Sequence, residues 1–184
     1  MMGNTDLGRK ILVAGQGGKS TLARALAVDL GLPYVELDAL SHLPNWISRD
    51  VDDFRGLVRQ AIDENPGGWV IDGHYAGDLK GLIAKEADTV VYVNVGFWLM
   101  FWRLFWRSFA SARDKRLICG ENVETWGRMF GRSSLLWFLL KQRRSISHER
   151  GPRLREWARD SRMIELDGAR ALDEFYEERG LVRR

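Results

Sequence analysis

The residues with the clearest chemical potential are a lysine, a serine and a threonine that follow two glycines, Lys19, Ser20 and Thr21. They come after a short apolar run and open an amphipathic segment, so we expect a strand that turns directly into a helix. The backbone N–H groups of the turn and the positive end of the helix dipole then converge on one point, which favours phosphate. We predict that Lys19 contacts the outer phosphates of a nucleotide and that the Ser20 hydroxyl is a ligand of Mg²⁺.

The glycine-rich turn before Lys19 is shorter than the usual phosphate loop. The usual pattern has a glycine six residues ahead of the lysine, and here that residue is Val13, whereas Gly15 stands only four residues ahead. Either the strand ends early and Val13 replaces the first glycine, or the loop is truncated and cannot enclose a β-phosphate in the usual way. A partial anion site is expected in both cases, and a glycine turn without a ligand is the alternative. The candidate nucleotide-binding residues are Gly15, Gln16, Gly17, Gly18, Lys19, Ser20 and Thr21.

Two aspartates, Asp38 and Asp72, each end a short apolar run that has the pattern of a strand. In an open parallel sheet, ligands bind beyond the carboxyl ends of the strands. By analogy with small-molecule kinases, we assign Asp38 a catalytic role at the acceptor and place Asp72 with Ser20 in the Mg²⁺ site. The alternative is that each aspartate only caps the turn that follows it.

Positive charge is concentrated in the second half of the chain. The net charge is +3, yet residues 101–116 carry +4 and residues 141–159 carry +5, so the remainder carries −6. Such segments could face a polyphosphate, a nucleic acid or an acidic membrane, and solvated helix faces are the alternative.

The arginines of these segments supply what a phosphate-transfer site would still lack. We predict a mobile lid at about residues 108–125, in which Arg113 and Arg116 have catalytic roles because they neutralise the charge on the transferring phosphate. Arg143 and Arg144 are predicted to bind the donor phosphates or an anionic acceptor.

A run rich in tryptophan precedes the lid. From Phe97 to Trp106, nine of ten residues are apolar and six are aromatic, with only Arg103 breaking the run. It is too short to span a bilayer, which needs about 20 apolar residues. We expect a buried helix, with a membrane-interface helix or a dimer contact as alternatives. A membrane is therefore not an expected partner, although this helix leaves that possibility open.

Short apolar runs alternate with amphipathic segments along the chain, which is typical of an α/β fold with a parallel sheet. Strands are predicted at 10–14, 34–37, 69–71, 89–95 and 163–166, and helices at 20–30, 51–62 and 171–178, with 97–137 mostly helical around a break at 119–120. The length of 184 residues and the absence of a linker pattern predict one domain over 1–184. The single cysteine, Cys119, and the lack of a long apolar run at the start lead us to expect a reducing cytoplasm.

The order of these motifs resembles that of the P-loop nucleoside and nucleotide kinase-like proteins, and among them the bacterial proteins known as DNA topology modulation proteins or AAA-family ATPases. The resemblance rests on GQGGKSTLARALA, LPYVELDALSHLPNW, GGWVIDGHYAGDL, the apolar strand at 89–95 and the arginine-rich lid with KQRRS. It implies three layers, with a five-stranded parallel sheet of order 2-3-1-4-5 and helices on both faces. It also implies ATP at the loop before Lys19 and an acceptor near Asp38 and Asp72, in a layout similar to adenylate and shikimate kinases. The relatives carry about two more residues in the phosphate loop.

The leading hypothesis is an ATP- and Mg²⁺-dependent phosphotransferase that acts on an unidentified small-molecule acceptor as a monomer or homodimer. A second hypothesis is a nucleotide-binding or regulatory protein whose catalysis is impaired by the short loop. A third is a basic nucleic-acid-binding protein, which only the pI of about 9.2 and the two arginine-rich segments support. We therefore do not expect nucleic acid as a partner.

Overall fold

The computed structural model describes residues 7–44, 47–114, 117–118, 122–123, 126, 134–141 and 150–183. The strands are β1 (Lys10–Gln16), β2 (Tyr34–Glu36), β3 (His42–Leu43), β4 (Ile47–Ser48), β5 (Trp69–Asp72), β6 (Thr89–Asn94), β7 (Leu117–Ile118), β8 (Asn122–Val123) and β9 (Arg162–Asp167). The helices are α1 (Lys19–Leu30), α2 (Leu37–Ser41), α3 (Val51–Asp63), α4 (Ala76–Leu79), α5 (Phe97–Asp114), α6 (Leu135–Lys141), α7 (Arg150–Trp157) and α8 (Gly168–Glu178).

Five of the strands form one parallel sheet, in the order β2-β5-β1-β6-β9. Counted among these five strands alone, in chain order, the arrangement is 2-3-1-4-5. The predicted α/β class with a five-stranded parallel sheet is therefore confirmed. The pairs β3–β4 and β7–β8 are small antiparallel hairpins that the sequence did not predict, because two-residue strands show no periodicity.

Apolar side chains cover both faces of the sheet, as β6 illustrates. Val91 and Val93 belong to a buried cluster that includes Leu22 and Leu26 of α1, together with residues of α8 and the start of α5. Val90 belongs to a second buried cluster, which includes residues of α3 and α7. Strands enclosed in this way are apolar throughout, and this is why their sequences show no alternation.

Helix α1 has the boundaries that its sequence predicts, within one residue. It ends at Gly31, whose φ of 60° is the left-handed conformation and whose N–H donates to the carbonyls of Ala27 and Val28. Glycine accepts this conformation without steric cost. The helix therefore has a defined length and direction after the turn that follows β1.

Helix α5 corrects the expectation that the tryptophan-rich run is buried. Phe97 and Met100 are buried in the core, but Trp98, Trp102 and Trp106 are 54%, 52% and 60% exposed. The core covers only one side of α5. Because aromatic residues also lie on the other side of the helix, their rings are exposed to solvent. None of the helices in the described ranges combines the length and apolarity needed to cross a membrane.

Candidate functional site

The turn between β1 and α1 contains only two residues. β1 extends to Gln16, which pairs with Asn94 of β6, so the strand ends two residues later than predicted. Gly17 and Gly18 alone then link the strand to α1. The alternative in which the strand ends early is therefore wrong, and the loop is a truncated one. Gly15 and Gln16, both predicted to bind nucleotide, lie in the sheet.

The glycines of this turn are required by the packing of the chain itself. A Cβ on Gly15 would lie 2.0 Å from the carbonyl oxygen of Val93, and a Cβ on Gly17 would lie 2.1 Å from Cγ2 of Val95. Both residues also have positive φ, 102° and 79° respectively. The glycine pattern is thus explained by close approach to β6 and the residue after it, with or without a ligand.

Gln16, the last residue of β1, places an amide side chain next to this packed turn. It is only 7% exposed, and neither its Nε2 nor its Oε1 has a hydrogen-bond partner in the described structure. A buried amide without partners costs about 1–3 kcal/mol. The last residue of β1 therefore carries an unsatisfied donor and an unsatisfied acceptor directly ahead of the turn.

The first turn of α1 presents the groups that bind anions. No side chain caps the helix, and its first amide with a backbone acceptor is that of Leu22, which donates to the Gly18 carbonyl at 3.0 Å. The amides that precede Leu22 are in the first helical turn, where N–H groups have no acceptor within the helix. Lys19, Ser20 and Thr21 form this turn, as predicted from the sequence.

A buried carboxylate lies beside this turn. Asp72, the last residue of β5, is completely buried, and its two oxygens accept from Lys19 Nζ at 2.7 Å and from Tyr34 Oη at 2.9 Å. Burial, with the negative charges of Asp72 and Glu36 nearby, raises the pKa of Tyr34. Tyr34 therefore remains a neutral donor to Asp72 at physiological pH.

The ammonium of Lys19 occupies the place between the two residues predicted to hold Mg²⁺. Its Nζ is 2.7 Å from Asp72 Oδ1 and 3.5 Å from Ser20 Oγ. A single cation thus already bridges both oxygens. Within the described ranges there is no cluster of three or more His, Cys, Asp or Glu side chains that could hold a metal. The donor set fits Mg²⁺ only as a site completed by water and phosphate oxygens, which is the usual form for this ion.

The second aspartate lies in a separate hydrogen-bond network on the same edge of the sheet. Asp38 is in the first turn of α2 and not at the end of a strand, which corrects the prediction of its position. Its Oδ1 accepts from Tyr75 Oη at 2.7 Å, and Tyr75 Oη is 2.6 Å from Ser41 Oγ. This contact joins the segment after β2 to the segment after β5, so the two chain segments hold the carboxylate of Asp38.

The arginine that reaches the turn is Arg103. Its guanidinium donates to the Gly17 carbonyl at 2.7 Å. Arg113 lies ten residues further along α5, about 15 Å along the helix axis, and pairs with Asp114. Residues 108–114 of the predicted lid belong to this continuous helix. Arg116, Arg143 and Arg144 lie outside the described residues.

Three residues that complete the site were not identified as site residues from the sequence. Tyr34 has the pattern of an ordinary strand residue, and Tyr75 follows a glycine and a histidine in a loop. Arg103 belongs to the arginine-rich segment before the predicted lid, but no site role was assigned to it. A positional signal exists for Tyr75, which lies three residues after Asp72 at the carboxyl end of β5. Tyr34 is the first residue of β2, and no such signal points to it.

Comparison with models of known protein families found no match for this chain. Comparison with curated proteins found none either. The candidate site is therefore interpreted from its own geometry.

Proposed function

We propose that this protein binds ATP with Mg²⁺ at the start of α1 and transfers the γ-phosphoryl group to a small-molecule acceptor. The observation that carries the proposal is the position of Lys19 Nζ, which bonds to the buried Asp72 and lies 3.5 Å from Ser20 Oγ. Lysine, a hydroxyl residue and an aspartate at the carboxyl edge of a parallel sheet are the groups that phosphoryl transfer uses. The open first turn of α1 adds the amides that phosphate requires.

The contacts of Lys19 suggest how the site would change on binding. A phosphate at the start of α1 offers the ammonium a second anionic partner, and movement of Lys19 toward it would release one oxygen of Asp72. Ser20 and Asp72 would then hold Mg²⁺, which supplies positive charge against the phosphate oxygens when it is bound. In the structure described here, Lys19 itself supplies the charge that this buried carboxylate needs.

Asp38 is the group proposed to act on the acceptor. Tyr75 donates to Oδ1, and Oδ2 has no partner among the described residues. In the proposed step, Asp38 takes the proton of an acceptor hydroxyl as the acceptor oxygen bonds to the γ-phosphorus. The bond from the γ-phosphorus to the β–γ bridging oxygen breaks, and ADP leaves. Tyr75 orients the carboxylate through its hydrogen bond.

One observation supports a second function, nucleotide binding without efficient transfer. The turn has only Gly17 and Gly18 between strand and helix, and the Gly17 carbonyl already accepts from Arg103. A turn of this length has fewer amides to surround a β-phosphate than the usual loop. The two functions share the donor site and differ only in product formation.

Calorimetric titration with ATP and Mg²⁺ tests the shared donor site. We expect binding by the natural chain, loss of at least about tenfold in affinity in Lys19→Met, and no change in Lys85→Met, where the lysine is an exposed one outside the site. Lys19-independent binding, or no binding at all, would contradict both functions. Since Lys19→Met also removes the ion-pair partner of Asp72, urea denaturation of this variant establishes that it is folded before its ATP affinity is compared.

Transfer is tested separately with γ-labelled ATP and a panel of nucleosides, nucleoside monophosphates and sugars. We expect labelled product that disappears in Asp38→Asn while ATP affinity is unchanged, because Asp38 is assigned to the acceptor. Binding of ATP without product on any member of the panel would favour the second function. Product formation that survives in Asp38→Asn would refute the role of this residue.

A further inference from the structure

The outer face of α5 carries a continuous group of exposed apolar side chains. At 100° per residue along an α-helix, five of them fall within an arc of about 100°. We call this set the aromatic face. It consists of Trp98, Leu99, Trp102, Trp106 and Phe109.

The aromatic face extends beyond α5 itself. The ring of Phe109 contacts that of Trp126, with centroids 5.1 Å apart, and Trp126 is also exposed. Helix α6 packs against α5 and has an exposed tryptophan of its own, Trp137, with Lys141 Nζ 5.6 Å from the ring centre. An exposed apolar surface of this kind is unusual for a monomer that has no partner.

Within α5 itself, cations flank the aromatic face and no unpaired acidic side chain does. Arg107 projects from one side of it and Arg113 lies near its end, whereas Arg103, one turn before Arg107, directs its guanidinium to the Gly17 carbonyl. The only acidic residue of α5 is Asp114, which is paired with Arg113. Two copies of this helix would bring like charges together, so the charge pattern opposes self-association. It is complementary to a negatively charged surface.

We propose that the aromatic face of α5 docks on the surface of a bilayer that contains anionic lipid. Indole rings with one apolar body and one N–H donor favour the boundary between lipid headgroups and acyl chains. The Arg107 side chain at the flank can lay its stem on the apolar region and hold its charge at the phosphates. Since no described helix can span a membrane, α5 would lie in the plane of the surface.

Vesicle co-sedimentation of the full chain tests the proposal. The probes are vesicles of phosphatidylcholine alone and of phosphatidylcholine mixed with phosphatidylglycerol in equal parts. We expect binding to the anionic vesicles, weaker binding to the neutral ones, and a blue shift of tryptophan emission on binding. The variant Trp98→Ser/Trp102→Ser/Trp106→Ser should lose at least about tenfold in partition coefficient. The control Val28→Ser/Val182→Ser removes exposed apolar side chains elsewhere and should bind like the natural chain.

A variant that removes one charge tests the proposal independently, in case the tryptophan variant folds poorly. Arg107→Gln should lower partition into anionic vesicles by about fivefold and have little effect on neutral ones. Added salt should weaken binding in the same way. No sedimentation of the natural chain with anionic vesicles would overturn the proposal. So would a dimer in sedimentation velocity that the tryptophan variant abolishes, because the aromatic face would then be covered by a second copy.

Discussion

The guanidinium of Arg103 donates to the carbonyl oxygen of Gly17 at 2.7 Å, which ties α5 to the turn at the candidate phosphate site. The two residues are 86 positions apart in the chain. The contact fixes one of the only two residues between β1 and α1. It also places a positive charge next to the amides that a phosphate would approach.

The first prediction concerns this contact. Arg103→Met should lower the free energy of unfolding by about 1 kcal/mol, because the Gly17 carbonyl loses its donor at a partly exposed position. It should also weaken ATP affinity at the proposed site, since a cation near the start of α1 is removed. Arg107→Met, one helical turn along, is the control and should change stability by less than about 0.5 kcal/mol. Urea denaturation and calorimetry measure the two effects, and equal behaviour of both variants would contradict the prediction.

The second prediction concerns the pair formed by Lys19 and Asp72. Because Asp72 is fully buried, Lys19→Met should lower the free energy of unfolding by about 3–5 kcal/mol. In an Asp72→Asn background the same change should cost less than about 1 kcal/mol, since no buried charge is left unpaired. Urea denaturation of the four proteins gives the coupling energy. Additive effects of the two substitutions would show that the pair is not coupled.

The third prediction follows from the raised pKa of Tyr34, which has burial as its main cause. A raised pKa means that the folded protein holds the phenol proton more tightly than the unfolded chain does. The contribution of this proton to the free energy of unfolding is fully present below the ordinary tyrosine pKa of about 10. It is lost as pH rises above that value. The free energy of unfolding should therefore fall more steeply above pH about 10 in the natural chain than in Tyr34→Phe.

Absorbance at the phenolate wavelength gives an independent check on Tyr34. The chain has four tyrosines, and burial also raises the pKa of Tyr176. In the folded protein, Tyr34→Phe should remove a component that ionises late, and Tyr176→Phe should remove another. A Tyr34→Phe variant that loses an early component would contradict the burial argument.

The fourth prediction concerns the glycine that β6 approaches most closely. Gly15→Ala should cost at least about 3 kcal/mol, because its Cβ would lie 2.0 Å from a backbone oxygen that cannot move aside. Gly56→Ala is the matched control, since Gly56 lies in α3 with no atom within 4 Å of the added Cβ. That variant should gain up to about 1 kcal/mol from helix propensity. Urea midpoints compare the two.

The elements of the main sheet could be predicted because their residues carry a local signal. The run TVVYVN reads as a buried strand without knowledge of its neighbours, and β6 lies within one residue of the prediction. The end of β1 could not be predicted, because Gly15 and Gln16 are poor strand residues by type. Pairing with Val93 and Asn94 keeps them in the strand, and that is a tertiary effect.

The candidate site was predictable only in the residues whose chemistry is evident from type and position. Lys19, Ser20 and Asp72 meet at one edge of the sheet as the sequence suggests. The hydrogen bonds of Tyr34 and Tyr75 depend on segments that are far apart along the chain, so no local pattern reveals them. The exposure of Trp102 could not be predicted either. An apolar residue is expected to be buried, but the sequence does not show which side of a helix the core covers.

Helix α5 has one further mechanical consequence. With 18 residues it is a rod of about 27 Å, and Arg103 holds it to the turn about a third of the way along its length. When such a rigid helix tilts, a large movement at its far end is accompanied by a small movement at Arg103. Only Gly17 and Gly18 connect β1 to α1, so the turn is short. A tilt of α5 caused by binding at its exposed side would therefore displace the first amides of α1.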